Sequence, residues 1–201
     1  MYLQLQGTTS WRVAVDRGNP LIDAALWIRA AEAIEVPPDP FVPGPLDDPP
    51  APEPTATGLG AAWLAWWRDL IGMPPWTFEQ PDAPPPELDL DSPDALGLAR
   101  WPELREVVMR RWPQAGEWHR ARGERHRRTE PSPSPVVSIV AAEVERELGR
   151  RLRPFRLDLV LLPVRDTTVR QVNEERHLVP ERVYDGLRGT RWLTDLLHRV
   201  G

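Results

Sequence analysis

Apolar and polar residues alternate over Tyr2–Gln6 and again over Trp11–Val15, with Gly7-Thr8-Thr9-Ser10 between them. A period of two marks strands with one buried face, so the start of the chain predicts a short hairpin. The pattern then changes. Asn19-Pro20 reads as a helix N-cap followed by proline at the first helical position. The run Leu21–Ile34 is apolar around much of its circumference and predicts a buried helix. A second helix is predicted over Leu59–Ile71, where Leu59, Trp63, Trp66, Trp67, Leu70 and Ile71 form a broad apolar face closed by Gly72.

Pro102 opens another helix, with Leu104, Val107, Val108 and Trp112 on one side. Pro113 is expected to break or kink it, with a shorter helix over Gln114–Arg122 beyond. Val137, Val140, Ala141, Val144, Leu148 and Leu152 recur at helical spacing after Pro135. The clearest strand is Phe155–Val164. Phe155, Leu157, Leu159 and Leu161 point one way, and Arg156, Asp158, Val160 and Leu162 the other. The helix before it should pack on the Phe155 face. Val169–Val172 and His177–Val179 read as return strands, and Thr190–Val200 as a last helix.

Two stretches follow neither period. Pro37–Pro54 holds nine prolines and four acidic residues, and Glu79–Asp94 holds six acidic residues, with no basic residue in either. Proline at that density excludes helix and sheet and favours extended polyproline II. These segments are expected to lie along an arginine-bearing surface of this chain or of a partner. The fold class is therefore α+β: a helical, tryptophan-rich N-terminal part, residues 1–130, and a C-terminal helix–strand–turn–strand–helix unit with a small mixed sheet, residues 131–201. The two are separate, or integrated as one domain.

Composition sharpens this picture. All 25 basic residues are arginine, and proline accounts for 25 of the 201 residues. A GC-rich bacterial genome explains both, which weakens the argument that any one arginine was selected for binding. The net charge of −5 is unevenly spread, with −11 over residues 1–99 and +6 over residues 100–201. Cysteine is absent, which excludes disulfides, thiol nucleophiles and thiolate-held zinc. No signal peptide or span-length apolar run is visible, so the expected location is the cytoplasm, with no membrane partner.

Catalytic motifs are missing. Three of the five serines sit at or beside proline-rich helix starts where capping accounts for them, and no G-x-S-x-G occurs. Gly58-Leu59-Gly60 is the nearest approach to a nucleotide loop. Trp63 occupies the third glycine position, and Gly60 more simply lets a helix begin beside another backbone. Glu117, His119 and His126 have a spacing that a helix would place together, but arginines surround them and no metal is expected. Glu143 and Glu147 read as a solvated helix face, with Glu147 set to pair with Arg150 or Arg151. Asp158 stands out as an acid on a strand.

Two surfaces remain as binding candidates. Trp63, Trp66, Trp67 and Trp76 offer a stacking or docking platform, against the plainer reading of a bulky core. Arg120, Arg122, Arg125, Arg127 and Arg128 offer a basic face. The leading expectation is a non-enzymatic interaction protein, an adaptor or assembly subunit with an unidentified protein partner and no cofactor. A nucleic-acid-associated protein using the arginine face is the alternative, and an enzyme with a scattered site the second alternative. Self-association is left open.

Overall fold

The structure, a computed structural model, describes residues 2–6, 11–72, 96–129, 136–185 and 187–201. Its strands are β1 (Tyr2–Gln6), β2 (Trp11–Arg17), β3 (Phe155–Leu162), β4 (Arg170–Gln171) and β5 (Arg176–Pro180). Its helices are α1 (Pro20–Ala31), α2 (Gly60–Gly72), α3 (Pro102–Thr129), α4 (Val136–Leu148), α5 (Glu181–Tyr184) and α6 (Leu187–Val200), and a 3₁₀ turn lies at Leu96–Leu98. The architecture is α+β. The Glu79–Asp94 segment lies outside the described residues. No described helix is long and apolar enough to cross a membrane.

Two compact units divide the chain, residues 19–123 and residues 1–18 with 124–201. This differs from a boundary near residue 130 and has a specific cause. The N-terminal hairpin does not stay with the helices that follow it. β2 pairs in parallel with β3, with Val13 opposite Leu157 and Val15 opposite Leu159. The five strands run β1-β2-β3-β5-β4 across one mixed sheet, antiparallel at both outer pairs and parallel between them.

The sheet unit packs as the apolar pattern implies. Val137, Val140, Ala141 and Val144 of α4 join Leu157, Leu159 and Leu161 of β3 and Leu193, Leu196 and Leu197 of α6 in one core. α4 stops at Leu148, short of Leu152, because Gly149 takes a left-handed φ of 64° that ends a helix. Leu152 still joins the core, 2% exposed.

The helical unit is built around α1. Asn19 caps it as expected, its side-chain oxygen accepting the N–H groups of Leu21 and Ile22. Trp63, Trp66 and Trp67 of α2 are 0%, 1% and 0% exposed. α3 runs through Pro113 without interruption. The carbonyl that proline leaves unbonded belongs to Met109, one turn back. Both residues face outward, Met109 at 44% exposed, so water can take that carbonyl.

Pro37–Pro54 forms no helix or strand; it turns at Asp39–Val42, where the Val42 amide reaches the Asp39 carbonyl at 3.2 Å, and arginines of this chain hold it as a strap. Arg29 donates to the carbonyls of Pro43 and Gly44 at 2.8 and 2.6 Å, and Trp67 donates its indole N–H to Phe41 at 3.0 Å. Arg68 pairs with Asp39. At the far end Arg111 donates to Glu32 and to the Glu53 carbonyl, and the Glu53 amide reaches the Ala31 carbonyl at 2.7 Å. None of these arginines belongs to the 120–128 run.

Gly60 starts α2 against the backbone turn after α1. A Cβ there would stand 2.0 Å from the Glu35 carbonyl oxygen, which cannot move aside as a side chain would. Gly60→Ala should therefore lower stability by about 3 kcal/mol, at the upper end of overpacking costs. Gly116→Ala, inside α3 with nothing within 4 Å of its added Cβ, should instead gain up to about 1 kcal/mol from helix propensity. Urea unfolding of both variants measures the contrast. Equal stabilities would show that α2 does not begin against that carbonyl.

Candidate functional site

The sequence candidates are scattered by the fold. Of the four tryptophan candidates, Trp63, Trp66 and Trp67 are core residues. Trp63 donates its indole N–H to the Ala25 carbonyl at 2.9 Å and stacks on Trp67 with ring centroids 5.5 Å apart. With their faces covered, they cannot offer a stacking platform in this conformation, which corrects the docking alternative for Trp63, Trp66 and Trp67. Trp76 lies outside the described residues.

The five basic-face candidates all lie on α3. Arg120, Arg125, Arg127 and Arg128 are exposed and Arg122 is turned partly inward. Arg120 and Arg128 donate Nε to the carbonyls of Gly116 and Glu124, each one turn back on the same helix. Cations at a helix C-terminus are stabilised by the helix dipole, so this cluster has a local electrostatic reason to exist as well.

A different cluster forms where the sequence only suggested a metal site. Asp23 sits one turn into α1 on its buried side and is 0% exposed. Its Oδ2 accepts His119 Nδ1 at 2.7 Å and Arg122 Nη1 at 2.8 Å, both from α3. Positions i and i+3 share a helix face, which is how one carboxylate meets both. Asp23 Oδ1 is buried without a hydrogen-bond partner. His119 remains about a quarter exposed, at 26%. A carboxylate oxygen accepts, so Nδ1 is the donor of this contact. Among the described residues no three His, Cys, Asp or Glu side chains come together as metal ligands. Sequence reasoning grouped His119 with Glu117 and His126 along the helix and missed Asp23. The available signal was one acidic residue inside the apolar run Leu21–Ile34.

In the sheet unit the acid singled out by sequence has a partner. Asp158 and Arg176 face each other directly across β3 and β5 and are joined at 2.5 Å. Both are buried, and burial raises the Asp158 pKa against the opposing pull of Arg176. His177, the next residue, points to the opposite sheet face, where it meets the Trp192 ring edge-on at 5.9 Å. It is 3% exposed and its Nδ1 lacks a partner. Burial lowers its pKa and Arg199 adds to that, outweighing a hydrogen bond with the Glu175 backbone. His198 pairs with Glu147 at 3.0 Å, in place of the expected Arg150 or Arg151, and Glu143 pairs with Arg146.

His177 sets a pH dependence of stability. With its folded pKa below the unfolded value, the unfolded chain takes up the proton first. Stability is then complete above about pH 6.5 and falls below it, by up to about 1.4 kcal/mol per pH unit. Asp158 acts in the opposite sense, since its raised pKa adds stability as pH falls through it. Comparison with His177→Phe isolates the histidine. From pH 7.5 to 5.5 the native chain should lose about 1 kcal/mol more than the variant in urea unfolding. Parallel losses would show that His177 is not buried in its neutral form.

Comparison with known proteins supplies no relative for this chain: no family model matches it, and neither a curated protein nor a solved structure does.

Proposed function

We propose that this chain is an interaction protein of the bacterial cytoplasm, an adaptor or assembly subunit, which meets an acidic protein partner through the arginine-bearing end of α3. One observation supports the reading most. Arg120, Arg125, Arg127 and Arg128 are exposed along the last turns of α3, where they set positive charge at the surface. Complementary charge sets partner choice and association rate more than affinity, which suits a surface of exposed side chains. The net charge of −5 argues against a general affinity for nucleic acid.

The test is charge reversal with Arg120→Glu, Arg127→Glu and Arg128→Glu together. All three side chains are exposed, so the fold should survive. The intact chain should retain a specific protein from nuclease-treated extract of its native cells, and the triple variant should lose it. Duplex DNA should bind only weakly, with Kd no tighter than ~10⁻⁴–10⁻⁶ M at physiological salt. Tight duplex binding that weakens steeply with salt and disappears in the variant would replace this reading with the nucleic-acid one. Retention of the same protein by the variant would remove the arginine face from the account.

A further inference from the structure

We infer that the outer edge of β1 is a self-association surface, on which a second copy of this chain adds its own β1 in antiparallel register about Gln4. This goes beyond the reading above, which rests on arginines of α3, and does not depend on it. The sheet has two ends, β1 and β4. A strand with a single neighbour turns half of its backbone N–H and C=O groups outward, and proteins blunt such edges with charge, proline or brevity. β4 is blunted: it has two residues, Arg170–Gln171, and Arg170 is ion-paired with Asp166. β1 carries none of these devices. It runs for five residues, Tyr2–Gln6, with no charge and no proline. Among the described residues the sheet ends there.

The pattern of β1 selects the occupant. Leu3 and Leu5 hold the positions opposite Val15 and Val13 of β2, and both valines belong to the core. A two-fold axis through Gln4 sets Leu3 opposite Leu5 of the second copy, Tyr2 opposite Gln6, and Gln4 opposite Gln4. Apolar positions then stay opposite apolar positions across the join. A one-residue slip would set Leu3 against Gln4 and turn the added strand onto its other face, so the register is fixed. β1 has no charged residue with which to choose an unlike partner or to repel a like one.

A two-fold contact uses the same patch on both copies and therefore closes. Growth stops at two, because the remaining edge of each sheet is the blunted β4. The two five-stranded sheets become one, which is about as wide as an open sheet usually grows. A five-residue strand is too short to bury the ~1,200 Å² of a stable interface, so the dimer is reversible, with Kd between ~1 mM and ~1 μM.

Sedimentation equilibrium of the full chain from ~10 μM to ~1 mM should show a rise from one chain to two with concentration. Gln4→Lys puts two like charges opposite each other at the axis and should weaken the dimer at least ~10-fold. Gln4→Glu should do the same. An equimolar mixture of the two variants should recover association, which an unfolded variant could not. The absence of native cysteine gives a second readout. Cα atoms directly opposite in an antiparallel pair lie ~4.5–5.5 Å apart, within disulfide reach. Gln4→Cys should therefore oxidise to a covalent dimer faster than Ser138→Cys, at an exposed site on α4. A chain that stays monomeric at every concentration, a Gln4→Lys variant that associates like the native chain, a mixture that fails to recover association, or equal cross-linking at the two positions would each overturn the proposal.

Discussion

A proline-rich chain has carbonyl acceptors and few N–H donors, so it cannot satisfy its own backbone when it folds. Pro37–Pro54 contains nine prolines and therefore has nine residues without an amide hydrogen. The donors come from side chains that have no acceptors of their own. Arg29 serves Pro43 and Gly44, Trp67 serves Phe41, Trp118 serves Asp48 and Arg111 serves Glu53. Much of the helical unit's composition follows from this constraint. Trp67 fills the core with its ring and meets the strap with its indole nitrogen, as a buried tryptophan requires.

Arginine has a second task in the same molecule. Lysine is absent, and three buried carboxylates each meet a guanidinium: Glu32 with Arg111, Asp23 with Arg122, and Asp158 with Arg176. Breaking a buried pair by removing one partner costs about 3–5 kcal/mol, whereas replacing both with apolar residues is often neutral. Such pairs fix which elements meet more than they add stability. The three differ in how far the acid is satisfied. Burial would push the Glu32 pKa up, but the Thr55 amide and hydroxyl together with Arg111 pull it below the ordinary value. Asp158 has Arg176 and one oxygen left over. At Asp23 the leftover oxygen lies on a carboxylate that also holds a part-exposed imidazole.

Local features were legible from the chain, because local chemistry decides them. The Asn19 cap and the apolar stripe of α4 before β3 rest on residues within a few positions of one another, whereas the close approach legible at Gly60 has its partner, the Glu35 carbonyl, well back in the chain. The parallel pairing of β2 with β3 was not legible, since it joins strands about 140 residues apart and leaves no periodicity behind. Pro113 misled for a different reason: its cost inside a helix depends on whether the freed carbonyl meets water, which requires knowing the exposed side. The arginine run could be read, while its division between an exposed set and Arg122 could not. The Asp23–His119 contact depends on the packing of α1 against α3, and no spacing along the chain encodes it.

The central claim is that residues 37–55 are a folded part of the helical unit, closed at their far end by Glu32 and Arg111. Two amides report on that closure directly. The Glu53 amide donates to the Ala31 carbonyl at 2.7 Å and the Thr55 amide to Glu32 Oε2 at 2.5 Å. Native-state hydrogen exchange of these two amides tests the claim. They should exchange as slowly as the amides in the middle of α1, and opening should become faster for both in Arg111→Gln. Exchange at the rate of an unstructured peptide in the native chain, with α1 still protected, would contradict the account.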